Sequence, residues 1–212
     1  VGIIGFGTVG EGVIRTLQTN PQFLEKKIGS RLVLKAVCDK ELRRKREVGL
    51  NPGILTSDVN RIPRNPDIQI VVELIGGIHP AKEFILEAFR RGKHVVTANK
   101  ALLAEYGEEI FEAAKKANVD LYFEASVGGG IPIIKALRES LGANHIDTLL
   151  GIVNGTSNYI LTAMADEGLS FNQALSDAKK KGYAERNPSL DIKGSDSAHK
   201  LAILTLLGFG KS

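Results

Sequence analysis

Three glycines spaced as Gly5-Phe6-Gly7-Thr8-Val9-Gly10 follow a short apolar run, Val1 to Ile4, and precede Val13, Ile14 and Leu17 at helical spacing. That order is strand, tight turn, helix. In such a turn the first glycine permits the bend, the second lets a pyrophosphate approach the backbone, and the third lets helix and strand pack closely. The helix N-terminus then offers N–H groups and partial positive charge to phosphates. The segment therefore reads as a dinucleotide-binding loop, with Phe6, Thr8 and Val9 beside the ligand together with the glycines. Asp39 ends the second apolar run, where an acidic residue meets the adenosine ribose hydroxyls. It stands 29 residues after Gly10, more than the usual ~20, and an insertion around Pro21 to Ser30 accounts for the excess. Lys40, Arg43 and Arg44 follow it. They would take a 2′-phosphate or form a solvated basic face, so NAD and NADP both stay open as cofactors.

Two further places carry chemistry. Val96-Thr97-Ala98-Asn99-Lys100 sets a lysine just past the carboxyl end of a strand, where ligands bind in open α/β sheets. Asp196 and Lys200 stand four apart in an apolar-periodic segment, so a helix puts both on one face. On a surface such a pair is a simple ion pair worth about 0.3–0.5 kcal/mol. In a site it is a proton-handling amine beside a carboxylate. The only cysteine is Cys38, on the second strand, and the four histidines are scattered. No spacing suits a transition metal, and His199 points about 100° round the helix from Lys200.

The elements that must position these groups can be read in order. Leu32 to Val37 is a strand, Ile68 to Ile75 another, nearly continuous and β-branched as buried parallel strands are. Pro80 to Arg91 is an amphipathic helix, His94 to Thr97 a strand, Tyr106 to Ala117 a helix and Val119 to Glu124 a strand. This alternation predicts a doubly wound parallel sheet of the Rossmann type over residues 1–127. The texture then changes. Helices are expected from about Ile133 to Leu141, from the Asn154–Asn158 stretch through Met164, from Phe171 to Lys181, and from Ser195 to Leu207. A strand is expected over Leu149 to Val153, and Gly182 to Lys193 reads as a solvated loop. Residues 128–212 thus form a second, mixed α/β segment.

Composition narrows the class. Apolar residues make up 43% and charged residues 25% of the 212, the balance of an ordinary globular protein. One cysteine leaves no internal disulfide and points to a reducing, cytoplasmic setting. No apolar run approaches the ~20 residues of a membrane span. The net charge of +4 is spread over many segments, with one dense cluster at Arg43 to Arg46 and no nucleic-acid module signature. Neither a membrane nor a nucleic acid is expected as a partner. Val1 opens inside an apolar strand pattern, and Lys211-Ser212 follows a helix-ending Gly-Phe-Gly, so both ends read as cut.

Beside GFGTVG and VTANK, three longer stretches carry a family resemblance: FEASVGGGIPIIKALRESL, GIVNGTSNYIL and KKKGYAERNPSLDIKGSDSAHKLAIL. In this order, over nearly the whole chain, they closely resemble homoserine dehydrogenase. The resemblance implies interconversion of L-homoserine and L-aspartate 4-semialdehyde, with NAD or NADP as hydride carrier, in the biosynthesis of threonine, methionine and isoleucine. It implies a Rossmann domain followed by a mixed α/β catalytic and dimerisation domain whose C-terminal part is missing here, and a homodimer. Regulatory domains follow in some members. By resemblance, Lys200 is the general acid/base and Asp196 binds the substrate amine or alcohol. Lys100 lies close to nicotinamide and substrate, while Thr97 and Asn99 border the cofactor. Glu185, in the Gly182-Tyr183-Ala184-Glu185 loop, holds the substrate ammonium, and Asp191 helps to position substrate or catalytic groups. The Asn154–Asn158 stretch shapes the pocket floor. A monovalent cation, sodium or potassium, is implied at Glu124, Val127, Gly129 and Ile131, mainly on backbone carbonyls; from the residues alone, a plain glycine loop is the simpler reading.

Two other readings compete. Aspartate-semialdehyde dehydrogenase shares the metabolite but needs a nucleophilic cysteine in its second domain, where this chain has none. A catalytically silent dinucleotide-binding module would leave Lys100, Glu185 and the Asp196/Lys200 pair without a purpose.

Overall fold

Short apolar runs, the central ones buried on both faces, build the first part of the chain. In the computed structural model, which describes residues 1–210, β1 (Gly2–Ile4) leads through the glycine turn into α1 (Thr8–Thr19) and α2 (Pro21–Ile28). Then come β2 (Ala36–Cys38), β3 (Leu55–Thr56), β4 (Ile70–Glu73), α3 (Ala81–Arg90), β5 (His94–Thr97), α4 (Lys100–Ala117) and β6 (Leu121–Tyr122). All six strands pair in parallel in the order β3-β2-β1-β4-β5-β6. The order reverses between β1 and β4, which puts the ligand crevice at the carboxyl ends of those two strands. Beneath it, Ile3, Phe6, Ile14, Val37 and Val72 form a buried cluster that locks α1 to the sheet.

The expected Rossmann architecture is present, with local differences. The excess before Asp39 is α2, started by Pro21 at its first turn and closed by Gly29 in the left-handed conformation. The second strand is shorter than its apolar run: only Ala36–Cys38 pairs with β1, and Val33 is exposed. α4 begins at Lys100, six residues before Tyr106, because the Asn99 side chain accepts the Leu102 N–H and caps it. Tyr106 marks a kink inside that helix. β3, two residues long, is too short to leave a period in the sequence.

The chain divides into two compact units, Val1–Ser126 and Val127–Ser212, and Lys211 and Ser212 of the second lie outside the described residues. The second unit holds α5 (Ile133–Lys135), continued by a wider π turn over Ala136–Ser140, then α6 (Gly155–Asp166), α7 (Phe171–Lys180), α8 (Ser189–Ile192) and α9 (Ser195–Phe209). Ile160 and Ala163 of α6 pack on Ala174 and Ala178 of α7, with Ala184 beside them. The small residues let the two helices approach closely. α8 lies inside the stretch expected to be a loop. The strand expected over Leu149–Val153 does not form: no strand among the described residues takes its N–H and C=O groups, and Leu150 and Ile152 are 90% and 78% exposed. No helix among the described residues is long and apolar enough to cross a membrane.

Candidate active site

The glycine turn is shaped by what each missing side chain allows. Gly5 sits at φ +106°, and a Cβ there would come within 2.8 Å of the Leu74 carbonyl; at Gly10 a Cβ would come within 2.2 Å of the Gly5 oxygen. These two hold β1, α1 and the turn after β4 in contact. Gly7 differs: a Cβ would meet nothing within 4 Å. It is the open face of the turn, and as N-cap of α1 it provides no side chain to occupy the first-turn N–H groups. Thr8 and Val9 stand exposed beside it. Open backbone at a helix N-terminus is what a pyrophosphate requires, so the residues present fit the dinucleotide.

Asp39 is tied into the same turn. Its carboxylate accepts the Phe6 N–H at 2.7 Å and the Glu41 N–H at 2.7 Å. Arg46 lies 3.3 Å away through Nη2, an ion pair without hydrogen-bond alignment. The Arg46 guanidinium sits over the Phe6 ring, 4.2 Å from its centroid, and donates through Nε to the Phe6 carbonyl and through Nη1 to the Arg44 carbonyl. Burial opposes ionisation of Asp39, but the two N–H donors and the charges of Arg46 and Arg44 outweigh it and hold the carboxyl below its ordinary range. Arg44, Arg46 and Phe6 line an open cavity of about 370 Å³; Arg43 and Lys40 are exposed. In the sequence Arg46 stands only as part of a basic cluster. Its role shows once Phe6 is known to lie under it.

At the ends of β4 and β5 a second network fixes two loops. Glu73, fully buried, accepts the Ile75 N–H at 2.8 Å, the Gly76 N–H at 3.3 Å and the Thr97 hydroxyl at 2.6 Å. Thr97 Oγ1 in turn accepts the Asn99 N–H, and Asn99 Nδ2 donates to the Gly77 carbonyl. The side chains of Thr97 and Asn99 are thus spent on holding the crevice loops, and Lys100 is the half-buried first residue of α4. Glu73 was missed. An acid inside the apolar IQIVVELI run is itself the signal, because a carboxylate buried there needs donors.

The second unit gathers Asn154, Asp191, Asp196 and Lys200. Lys200 Nζ donates to Asp196 Oδ2 at 2.6 Å and to the Val153 carbonyl at 2.7 Å. The two side chains are only 19% and 10% exposed, so this is not the solvated i,i+4 pair of a helix surface. Asn154 Nδ2 bridges Asp191 Oδ1 and Asp196 Oδ2. Thr156 Oγ1 donates to the Tyr183 carbonyl, and the Tyr183 ring stacks on Tyr159 at 4.7 Å, which steadies the loop that carries Gly182, Tyr183 and Glu185. Gly182 is left-handed at φ +80° and Glu185 is exposed. The sequence offered Asn154 only as part of a polar stretch; its bridging position depends on the fold of α8 and α9.

The residues expected at a cation fall in both units. In the first, Glu124 opens a 3₁₀ turn over Glu124–Ser126. In the second, Val127 is buried, Gly128 and Gly129 are both left-handed, and the exposed Ile131 donates its N–H to the Gly128 carbonyl. Among the described residues no three His, Cys, Asp or Glu converge as metal ligands. Cys38 is buried on β2, where burial first, then the charges of Asp39 and Asp58, push its thiol up. It is a poor nucleophile, which removes covalent acyl chemistry at this residue.

Sheet order, glycine turn and strand-end acid define the Rossmann class of dinucleotide-binding proteins, here followed by a unit that carries a sheltered Asp–Lys pair. Comparison with known proteins then gives the particular family. Residues 5–124 match the family model for the homoserine dehydrogenase NAD-binding domain, and residues 132–212 match the homoserine dehydrogenase model. Homoserine dehydrogenase of Synechocystis sp. is 50% identical over 99% of this chain and 48% of its own length. That of Bacillus subtilis is 45% identical, again over 99% and 48%. The crystal structure of a homoserine dehydrogenase from Thiobacillus denitrificans superposes with a TM-score of 0.91 at 47% identity, over 100% of this chain and 49% of that one. A hyperthermophilic archaeal homoserine dehydrogenase in complex with NADPH gives 0.80 at 28% identity, over 99% and 69%. The chain belongs to the homoserine dehydrogenase family. It spans about half the length of the curated relatives it matches.

Proposed function

We propose that the whole protein is a homoserine dehydrogenase, interconverting L-homoserine and L-aspartate 4-semialdehyde in threonine, methionine and isoleucine biosynthesis. The observation that carries this reading is Lys200, an amine sheltered against Asp196 Oδ2 and the Val153 carbonyl within the segment that matches the family's own model. When bound, NAD or NADP supplies the acceptor for the hydride that leaves the substrate carbinol carbon. Lys200, in its neutral form, takes the hydroxyl proton at Nζ, and returns it when the aldehyde is reduced. Asp196 orients Lys200 and binds the amine or hydroxyl of the substrate. Glu185, Asp191, Gly182 and Tyr183 hold the rest of the amino acid, a carboxylate being the natural partner of its ammonium. Lys100 provides a cation on the cofactor-binding unit.

Gly5, Phe6, Gly7, Thr8, Val9 and Gly10 cradle the pyrophosphate, Asp39 and Arg43 border the adenosine ribose, and Thr97 and Asn99 border the nicotinamide side. Residues 1–127 form the nucleotide domain and 128–212 part of a catalytic and dimerisation domain. Glu124 and the carbonyls of Val127, Gly129 and Ile131 hold sodium or potassium. The protein works in the cytoplasm as a homodimer. A steady-state assay of the whole protein tests the core of this, with homoserine as substrate, NAD⁺ against NADP⁺ and sodium against potassium. Homoserine-dependent appearance of the reduced cofactor supports the reading, and its absence under all four conditions rejects it.

A further inference from the structure

Asn154 is the residue on which the proton-handling centre converges. It caps α6, its Oδ1 accepting the Ser157 N–H at 2.7 Å. The same amide group donates through Nδ2 to Asp191 Oδ1 at 2.7 Å and to Asp196 Oδ2 at 2.9 Å. One side chain therefore uses its acceptor and both its donors. The orientation is fixed by chemistry: a flipped amide would set its NH₂ against the Ser157 N–H and its oxygen against two carboxylates. Ser157 Oγ adds a bond to the Asp191 carbonyl at 3.2 Å.

The arrangement matters because two carboxylates meet at one NH₂ group. Without it, Asp191 and Asp196 would lose the donor they share, which ties their two carboxylates to one place. Asp196 Oδ2 is also the oxygen that receives Lys200 Nζ, and the second acceptor of Lys200 is the carbonyl of Val153, the residue next to Asn154. A two-residue stretch thus grips Lys200 twice, directly by its backbone and indirectly through Asp196. We propose that Asn154 is a positioning residue of the reaction, which holds Asp196 in the one orientation that places Lys200 for proton transfer. This rests on the reading of Lys200 as the group that moves the proton.

Capping and bridging can be separated. Asn154→Ser keeps an oxygen able to cap α6 but cannot reach both carboxylates. Asn154→Asp also caps, and puts negative charge where the two donors were. In the whole protein, with homoserine and NADP⁺, Asn154→Ser should lower kcat roughly 10- to 100-fold, the scale of a displaced reacting group, and Asn154→Asp should lower it further. Melting temperature and dinucleotide affinity should stay close to the parent in at least one of the two. The deciding readout is a double-mutant cycle with Lys200→Ala. If Asn154 acts through Lys200, adding Asn154→Ser to Lys200→Ala changes kcat by less than about twofold. Losses that simply multiply show a general structural role and overturn the inference while Lys200 keeps its part. Near-normal turnover in Lys200→Ala alone overturns both.

Discussion

The Phe6 N–H and the Asp39 carboxylate lie 2.7 Å apart across 33 residues of chain, so the glycine turn and the end of β2 move as one piece. A dinucleotide that touches the turn meets an acid whose position is already set.

Gly7 and Gly10 should fail in different ways. Gly10→Ala forces a methyl to within 2.2 Å of the Gly5 oxygen, and such overpacking costs about 1–3 kcal/mol or more. Gly7→Ala has open space around it and an extended backbone that any residue adopts, so stability should hold while the methyl keeps the pyrophosphate away. Thermal melts paired with dinucleotide titrations check both. Equal loss of stability in the two variants would contradict this account of the turn.

Arg46 should bias the choice of cofactor. Asp39 already accepts the Phe6 and Glu41 N–H groups and faces Arg46, so a ribose diol competes with these partners for it, and the neighbouring guanidinium groups suit a 2′-phosphate. Arg46→Met keeps apolar contact with Phe6 and releases the acid. The NADP/NAD ratio of kcat/KM should fall by about tenfold, the worth of one charge-assisted hydrogen bond. An unchanged ratio would place discrimination elsewhere.

Asp39 should also mark the acid limb of stability. Its carboxyl is depressed in the folded protein relative to about 3.9 when unfolded. Its ionisation therefore adds stability above that pH, and the contribution fades as pH falls through the folded value. Urea melts of Asp39→Asn should lie below the parent at pH 7, with the gap closing as pH drops from about 5 toward 2. A gap independent of pH would mean that charge is not the source.

Cys38 should be silent. Buried and with its thiol pushed up, it should resist iodoacetamide at neutral pH in the native protein and react on unfolding. Rapid native labelling would reopen thiol chemistry.

Much of this was legible in the residues because local physics carried it. The glycine turn, the parallel strands and the i,i+4 placement of Asp196 and Lys200 follow from spacing alone. What escaped depended on partners far along the chain. Arg46 acquires a role only through Phe6, Glu73 through Thr97, and Asn154 through Asp191 and Asp196. The apolar run Leu149–Val153 shows the converse: its pattern suits a strand, but a strand also needs a neighbour to satisfy its backbone.

The proposed proton transfer by Lys200 is checked by turnover of Lys200→Ala in the whole protein. With homoserine and NADP⁺, kcat should fall by about a thousandfold, the scale of a lost general base, while dinucleotide binding followed by fluorescence stays within a few-fold of the parent. A variant that binds cofactor normally and turns over at near the parental rate would contradict the account.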